Sequence, residues 1–119
     1  TNDAQTHHAR SADQIIGGLA SLLAIARSEP YQTRHGGFDI LLIAPPPMLE
    51  QGTYRDALMG AAEKSREFAP LISALAAHWG IAFLDAGTLI GTSPIDGVHL
   101  SAEDHAVLGA AVAEKVRNI

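Results

Sequence analysis

Ile15, Ile16, Leu19, Leu22, Leu23 and Ala26 recur at spacings of three and four residues, the pattern of one apolar stripe on a helix. Ser11 stands just before this stripe with Gln14 three positions on, the two ends of a capping box, so a helix is predicted from about Ala12 to Arg27. Gly17 and Gly18 each weaken it by ~1 kcal/mol relative to alanine, so packing rather than propensity must hold it. Pro30 and the polar stretch up to Gly37 end it. From Phe38 to Ala44 the pattern changes to a short apolar run without alternation, between Gly36-Gly37 and Pro45-Pro46-Pro47. Such a run fits a strand buried on both faces, the habit of parallel sheets.

A second helical pattern begins after Thr53 and reaches Trp79, with Phe68, Leu71, Ile72, Leu75, Ala76 and Trp79 on one face. Pro70 inside it predicts a kink, or two helices broken near Ala69. Gly80 is a stop signal, and Ile81 to Asp85 reads as a second buried strand. After the loop Asp96-Gly97-Val98-His99, Ser101 with Asp104 opens a last helix through Val107, Leu108, Ala111, Val112 and Val116. The order helix, strand, helix, strand, helix predicts an α/β fold with a parallel sheet.

The strand count is short for that fold. The two strands hold about twelve residues, roughly a tenth of the chain, where ordinary domains carry about 20–25%. Two parallel strands leave sheet edges unpaired and helix stripes uncovered. The missing strands are therefore expected upstream of Thr1 or on another chain.

Composition narrows the function classes. The 119 residues suffice for one domain, and 47% apolar against 18% charged residues can support a core. Eight Lys and Arg against thirteen Asp and Glu give a net charge of -5, with no basic stripe to hold nucleic acid. The absence of cysteine excludes disulfides, a thiolate nucleophile and cysteine-based metal sites. Apolar runs such as Ile40 to Ala44 are far shorter than the roughly twenty residues that span a bilayer. The chain opens on Thr1 without a basic or apolar leader, so this end reads as a cut, with any targeting signal upstream; the expected compartment is cytoplasmic.

Asp96 and His99 are the foremost chemical candidates. A carboxylate bonded to one imidazole nitrogen fixes the tautomer and leaves the other nitrogen to take a proton from a hydroxyl nucleophile. Alone, Asp-x-x-His reads equally as an aspartate turn and an ordinary loop histidine. Asn2 can donate its amide to a developing oxyanion, though Thr1-Asn2-Asp3 also suits a turn or cap. His7 and His8 read as solvated loop residues, His78 as a helix-end residue, and His105 lies too far along the last helix to share a ligand set with His99. Phe68 and Trp79 read as core, and Arg10, Lys64, Arg66 and Lys115 as solvated faces. Asp85 and Asp96 could form a carboxylate pair, but nothing in their spacing favours it.

Taken together, these pieces resemble the SGNH (GDSL-type) hydrolases. Thr1-Asn2-Asp3 matches the end of that family's Gly-x-Asn-Asp block, and Asp96-Gly97-Val98-His99-Leu100-Ser101 matches its late Asp-x-x-His block before the C-terminal helix. Phe83 to Leu100 looks especially like the oligomeric arylesterase and acyltransferase branch. The resemblance implies a three-layer α/β/α, flavodoxin-like parallel sheet, incomplete here, across residues 1–119 as the C-terminal portion of one domain. It implies His99 as general base and acid, Asp96 holding its ring and Asn2 as oxyanion donor, with short-chain acyl or aryl esters as substrates and no cofactor or metal. Ile95 and Val98 would offer apolar side chains to the substrate, or would simply pack the loop.

The family's N-terminal Gly-Asp-Ser-Leu block has no match. Ser11 and Ser101 read as caps, and Ser93 lies in a loop with no strand-to-helix elbow, so no serine here reads as the nucleophile. The expectation is a C-terminal portion released by cleavage before Thr1, completed by an N-terminal companion of roughly a hundred residues that brings the serine. The assembled unit is expected to form a homo-oligomer, since open edges and apolar stripes invite partners. Two other readings remain: a non-catalytic binding module, and a metal-dependent hydrolase using His7, His8 or His105.

Overall fold

The predicted capping box opens the first helix. The Ser11 hydroxyl accepts from the Gln14 N–H at 3.2 Å, and Gln14 Oε1 accepts from the Ser11 N–H at 3.0 Å. In the computed structural model, which describes residues 1–119, this helix, α1, runs Ala12–Ala26. The polar stretch after it is not a plain linker: Pro30 sits in the first turn of a short helix α2, Glu29–Arg34. Proline ends one helix yet suits the first turn of the next, where its missing N–H has no intrahelical role.

Strand β1 covers Leu41–Ala44, starting later than the apolar run, and is followed by single 3-10 turns at Gly52–Tyr54 and Asp56–Leu58. The long helical pattern is two helices, α3 at Ala61–Arg66 and α4 at Phe68–Trp79. The break falls at Glu67 rather than near Ala69. Pro70 then occupies the first turn of α4, where the backbone N–H groups lack helical acceptors. Strand β2 is Ala82–Asp85, and α5 is Ala102–Val116, opened by Ser101 with Asp104 as its capping partner.

The strands pair in parallel, Leu41 opposite Ala82 through Ala44 opposite Asp85, as the element order predicted. Side chains alternate between faces. Leu42 and Ala44 join a buried cluster with Leu23 of α1 and Phe68, Ile72 and Ala76 of α4. Ile43 faces the opposite way and borders a hollow shared with Leu108 of α5, which sets the layers as α1 and α4, sheet, then α5.

The sheet has only these two strands, so each keeps one unpaired edge. A slot of about 510 Å³ lies between α1 and β1, walled by Ile15, Leu19, Leu22, Ile43, Phe68 and Ile72. Helix α5 buries no residue, and only 17 of the 119 residues are buried in all. The radius of gyration is 15.3 Å, against about 13.5 Å for a compact chain of this length. The apolar stripes thus exceed what the chain covers by itself. No helix is long and apolar enough to cross a membrane.

The loop leaving β1 is fastened from behind by Ser65, a buried residue of α3 whose hydroxyl accepts from the Met48 N–H at 2.9 Å and donates to the Ala62 carbonyl at 3.2 Å. Ser65→Ala strands a buried N–H and is expected to cost about 1–3 kcal/mol, read as a lower denaturant midpoint. An unchanged midpoint would mean that this bond does not hold the loop.

Candidate active site

The loop before α5 is built around one carboxylate. Asp96 Oδ1 accepts from the Val98 and His99 N–H groups, each at 3.0 Å, while Oδ2 lies 2.8 Å from His99 Nδ1. The backbone bond from Val98, then that from His99, then the imidazole contact hold the Asp96 carboxyl at about 2, below its ordinary 3.8. An ionised carboxylate can only accept, so Nδ1 carries the hydrogen and Nε2 is left free to accept one. The Asp96 side chain is 19% exposed and that of His99 68%, which puts the carboxylate behind the ring and the ring at the surface. Ser93 serves the loop itself, its N–H donating to the His99 carbonyl at 2.7 Å and its Oγ accepting from the Ile95 N–H at 3.2 Å.

A second loop, from the carboxyl end of β1, crosses this one backbone to backbone. The Leu49 N–H donates to the Gly97 carbonyl at 2.9 Å, and a Cβ on Gly97, whose φ is +79°, would overlap the Leu49 carbonyl oxygen. Gly52, with φ +68°, approaches the Ile95 carbonyl just as closely. Both positions need glycine for conformation and for clearance. Gln51 Nε2 adds a bond to the Pro94 carbonyl at 3.0 Å. The clamp sets the Tyr54 ring edge-on to His99, centroids 6.1 Å apart. Neither Gly52 nor Tyr54 was singled out from the sequence. The available signal was their position on a loop leaving the carboxyl end of a parallel strand, where open α/β sheets bind ligands.

Asn2 reaches the same place from the far end of the chain. It begins a 3-10 turn, Asn2–Ala4, whose Ala4 is fully buried and whose Ala4 carbonyl accepts from Lys64 Nζ at 3.3 Å. Lys64, read from the sequence as solvated, is thus a tether. The Thr6 hydroxyl donates toward the carbonyls of Ala57 and Met59, at 3.1 and 2.9 Å. Asn2, Gln5, Tyr54, Ala57, Leu58, Val98 and His99 together line a hollow of about 220 Å³.

The other candidates fall elsewhere. Val98 borders the hollow, but Ile95 is 78% exposed and does not. Asp85 accepts from the Gly87 N–H at 2.9 Å and borders a different hollow with Pro45 and Pro47. The His7 and His8 rings lie side by side, tilted at 43° with centroids 4.0 Å apart, and no three His, Asp or Glu side chains cluster as a metal-ligand set. Ser101 is a cap, donating to Asp104 Oδ2 at 2.6 Å. Chemically, the arrangement offers a proton acceptor of fixed tautomer and an amide-bearing side chain on one hollow of mixed polarity.

No family model matches the sequence, and no curated protein does. Solved structures do match. The chain superposes on the native aryl esterase of M. smegmatis with a TM-score of 0.84 at 28% identity, and on its inhibitor-bound form with 0.88. Against a carbohydrate acetylesterase from Sinorhizobium meliloti the TM-score is 0.85 at 33% identity. In each case the match takes in 98% of this chain and 56% of the other, so the chain spans little more than half the length of these proteins.

A carboxylate held at about 2 keeps its contribution to loop stability at every pH above its unfolded value near 3.8, and loses it as the pH falls through 2. A carbon-detected NMR titration is expected to place the Asp96 midpoint near 2. A midpoint at the ordinary value would contradict the three-donor geometry.

Proposed function

Because the chain carries a large part of the SGNH-hydrolase fold, we propose that it supplies the proton shuttle and oxyanion donor of a serine esterase whose attacking hydroxyl lies outside residues 1–119. The observation that carries this reading is the 2.8 Å contact between Asp96 Oδ2 and His99 Nδ1, with His99 and Asn2 on one hollow. In this reaction His99 Nε2 takes the proton of the serine hydroxyl as its oxygen attacks the ester carbonyl. The Asn2 amide donates to the tetrahedral oxyanion, and Asp96 steadies the charge that forms on the imidazole. His99 then gives the proton to the departing alcohol, leaving an acyl-enzyme that water, or an acceptor alcohol, resolves in a second round.

An outside nucleophile is supported by the lining of the hollow, which includes none of the chain's serines, and by Ser93 and Ser101, which close a turn and cap a helix. It is supported again by the open edge of β1 beside the 510 Å³ slot, largely but not wholly apolar, which suits a further parallel strand. We therefore assign the chain to the C-terminal portion of the domain, with the polypeptide that fills this slot as its partner and the nucleophile's source. The substrates this site suits are short-chain acyl or aryl esters, in keeping with the aryl esterase and acetylesterase it is similar to.

The test is turnover of phenyl acetate by the complete protein and its variants, each checked for fold by circular dichroism. His99→Ala and Asp96→Asn are expected to lower kcat by about 10⁴. Asn2→Ala is expected to lower it by about 10²–10³. Hydrolysis indifferent to His99→Ala would leave the chain a binding module, and hydrolysis abolished by a chelator would transfer the chemistry to a metal.

A further inference from the structure

The apolar wall of the hollow has no part in the proton transfers. Tyr54 is 46% exposed; Gly52, two residues before it, passes close against the Ile95 carbonyl, and the Tyr54 ring stands edge-on to the His99 imidazole. Ala57, Leu58 and Val98 share the lining of the hollow with Asn2, Gln5 and His99. The space is about 220 Å³, and an apolar cavity of about 150 Å³ is enough for benzene. The geometry points to Tyr54 as the residue that selects the alcohol half of the ester, favouring a planar aryl group laid against its ring.

This inference rests on the esterase reading above and adds a direction to it. When the carbon–oxygen bond of the tetrahedral intermediate breaks, the departing oxygen takes its proton from His99 Nε2. The group attached to that oxygen must therefore lie beside the imidazole, and Tyr54 is the aromatic side chain next to that ring. An aryl leaving group meets the Tyr54 ring in an offset or edge-to-face contact, while a methyl or ethyl group is too small to use it. The tyrosine hydroxyl has no role in this contact, so the ring alone should suffice. The preference would be gained in the transition state as well as on binding, and would appear in kcat/KM.

The experiment compares kcat/KM for phenyl acetate with that for methyl acetate, and for phenyl acetate with that for phenyl butyrate, in the complete protein. Tyr54→Ala is expected to lower the phenyl-to-methyl ratio roughly three- to tenfold, with the acetate-to-butyrate ratio held within about twofold. Tyr54→Phe should restore the wild-type ratio, and Tyr54→Leu, which keeps a wall without a ring, should also lower it. A phenyl-to-methyl ratio unmoved by both Ala and Leu, or a change confined to the acyl series, overturns this assignment while leaving the esterase reading intact. A wild-type protein with no His99-dependent hydrolysis overturns the esterase reading and this assignment together.

Discussion

One carboxylate organises the candidate site. Asp96 accepts from two successive backbone N–H groups and from an imidazole, and that threefold demand dictates the path of the chain from Ser93 to His99. Each of these bonds favours the ionised form, so the same contacts that shape the loop keep the carboxylate charged further into the acid range than an ordinary aspartate. A charged acceptor at Nδ1 fixes the hydrogen there and frees Nε2, so the chemistry of His99 follows from loop geometry. Gly97 makes the arrangement possible, because only a residue without Cβ can pass the Leu49 carbonyl at that backbone conformation.

The rest of the molecule is a scaffold that positions this loop at the carboxyl ends of the strands. Parallel pairing of β1 with β2 brings the carboxyl ends of both strands to one side, where the Leu49–Tyr54 and Ser93–His99 loops meet. The N-terminal turn arrives there too, tied by Lys64 and Thr6. What this scaffold does not do is close its own core: β1 keeps an open edge, the neighbouring slot is lined by Ile15, Leu19, Leu22 and Phe68 beside Asp3, Arg10 and Gln14, and no residue of α5 is fully buried. A parallel strand with one face and one edge uncovered is a poor stopping point energetically. A further strand along that edge would extend the sheet and cover the slot.

What the sequence made legible was mostly local. The capping boxes at Ser11 and Ser101 span three residues and depend on nothing distant, and both are present. The two strands and their parallel pairing followed from apolar runs alternating with helical stripes. Proline was harder to read. Pro30 and Pro70 both break one helix and begin another, and the residues around them do not say which role prevails or where the boundary falls. The Asp96–His99 contact was foreseeable because both partners sit in one tight loop. The Tyr54 wall was not, since it depends on two loops some forty residues apart crossing at glycines, and no short pattern encodes that crossing. Lys64 was misread for the same reason: its acceptor is the carbonyl of Ala4, sixty residues away.

Under the esterase reading, the imidazole of His99 serves a hydroxyl outside residues 1–119. Treating the complete protein with a fluorophosphonate and mapping the adduct by peptide mass spectrometry tests it directly. One modified serine outside residues 1–119 is expected, with labelling lost in His99→Ala. An adduct on Ser93, Ser101 or any other of the seven serines in these 119 residues would contradict it.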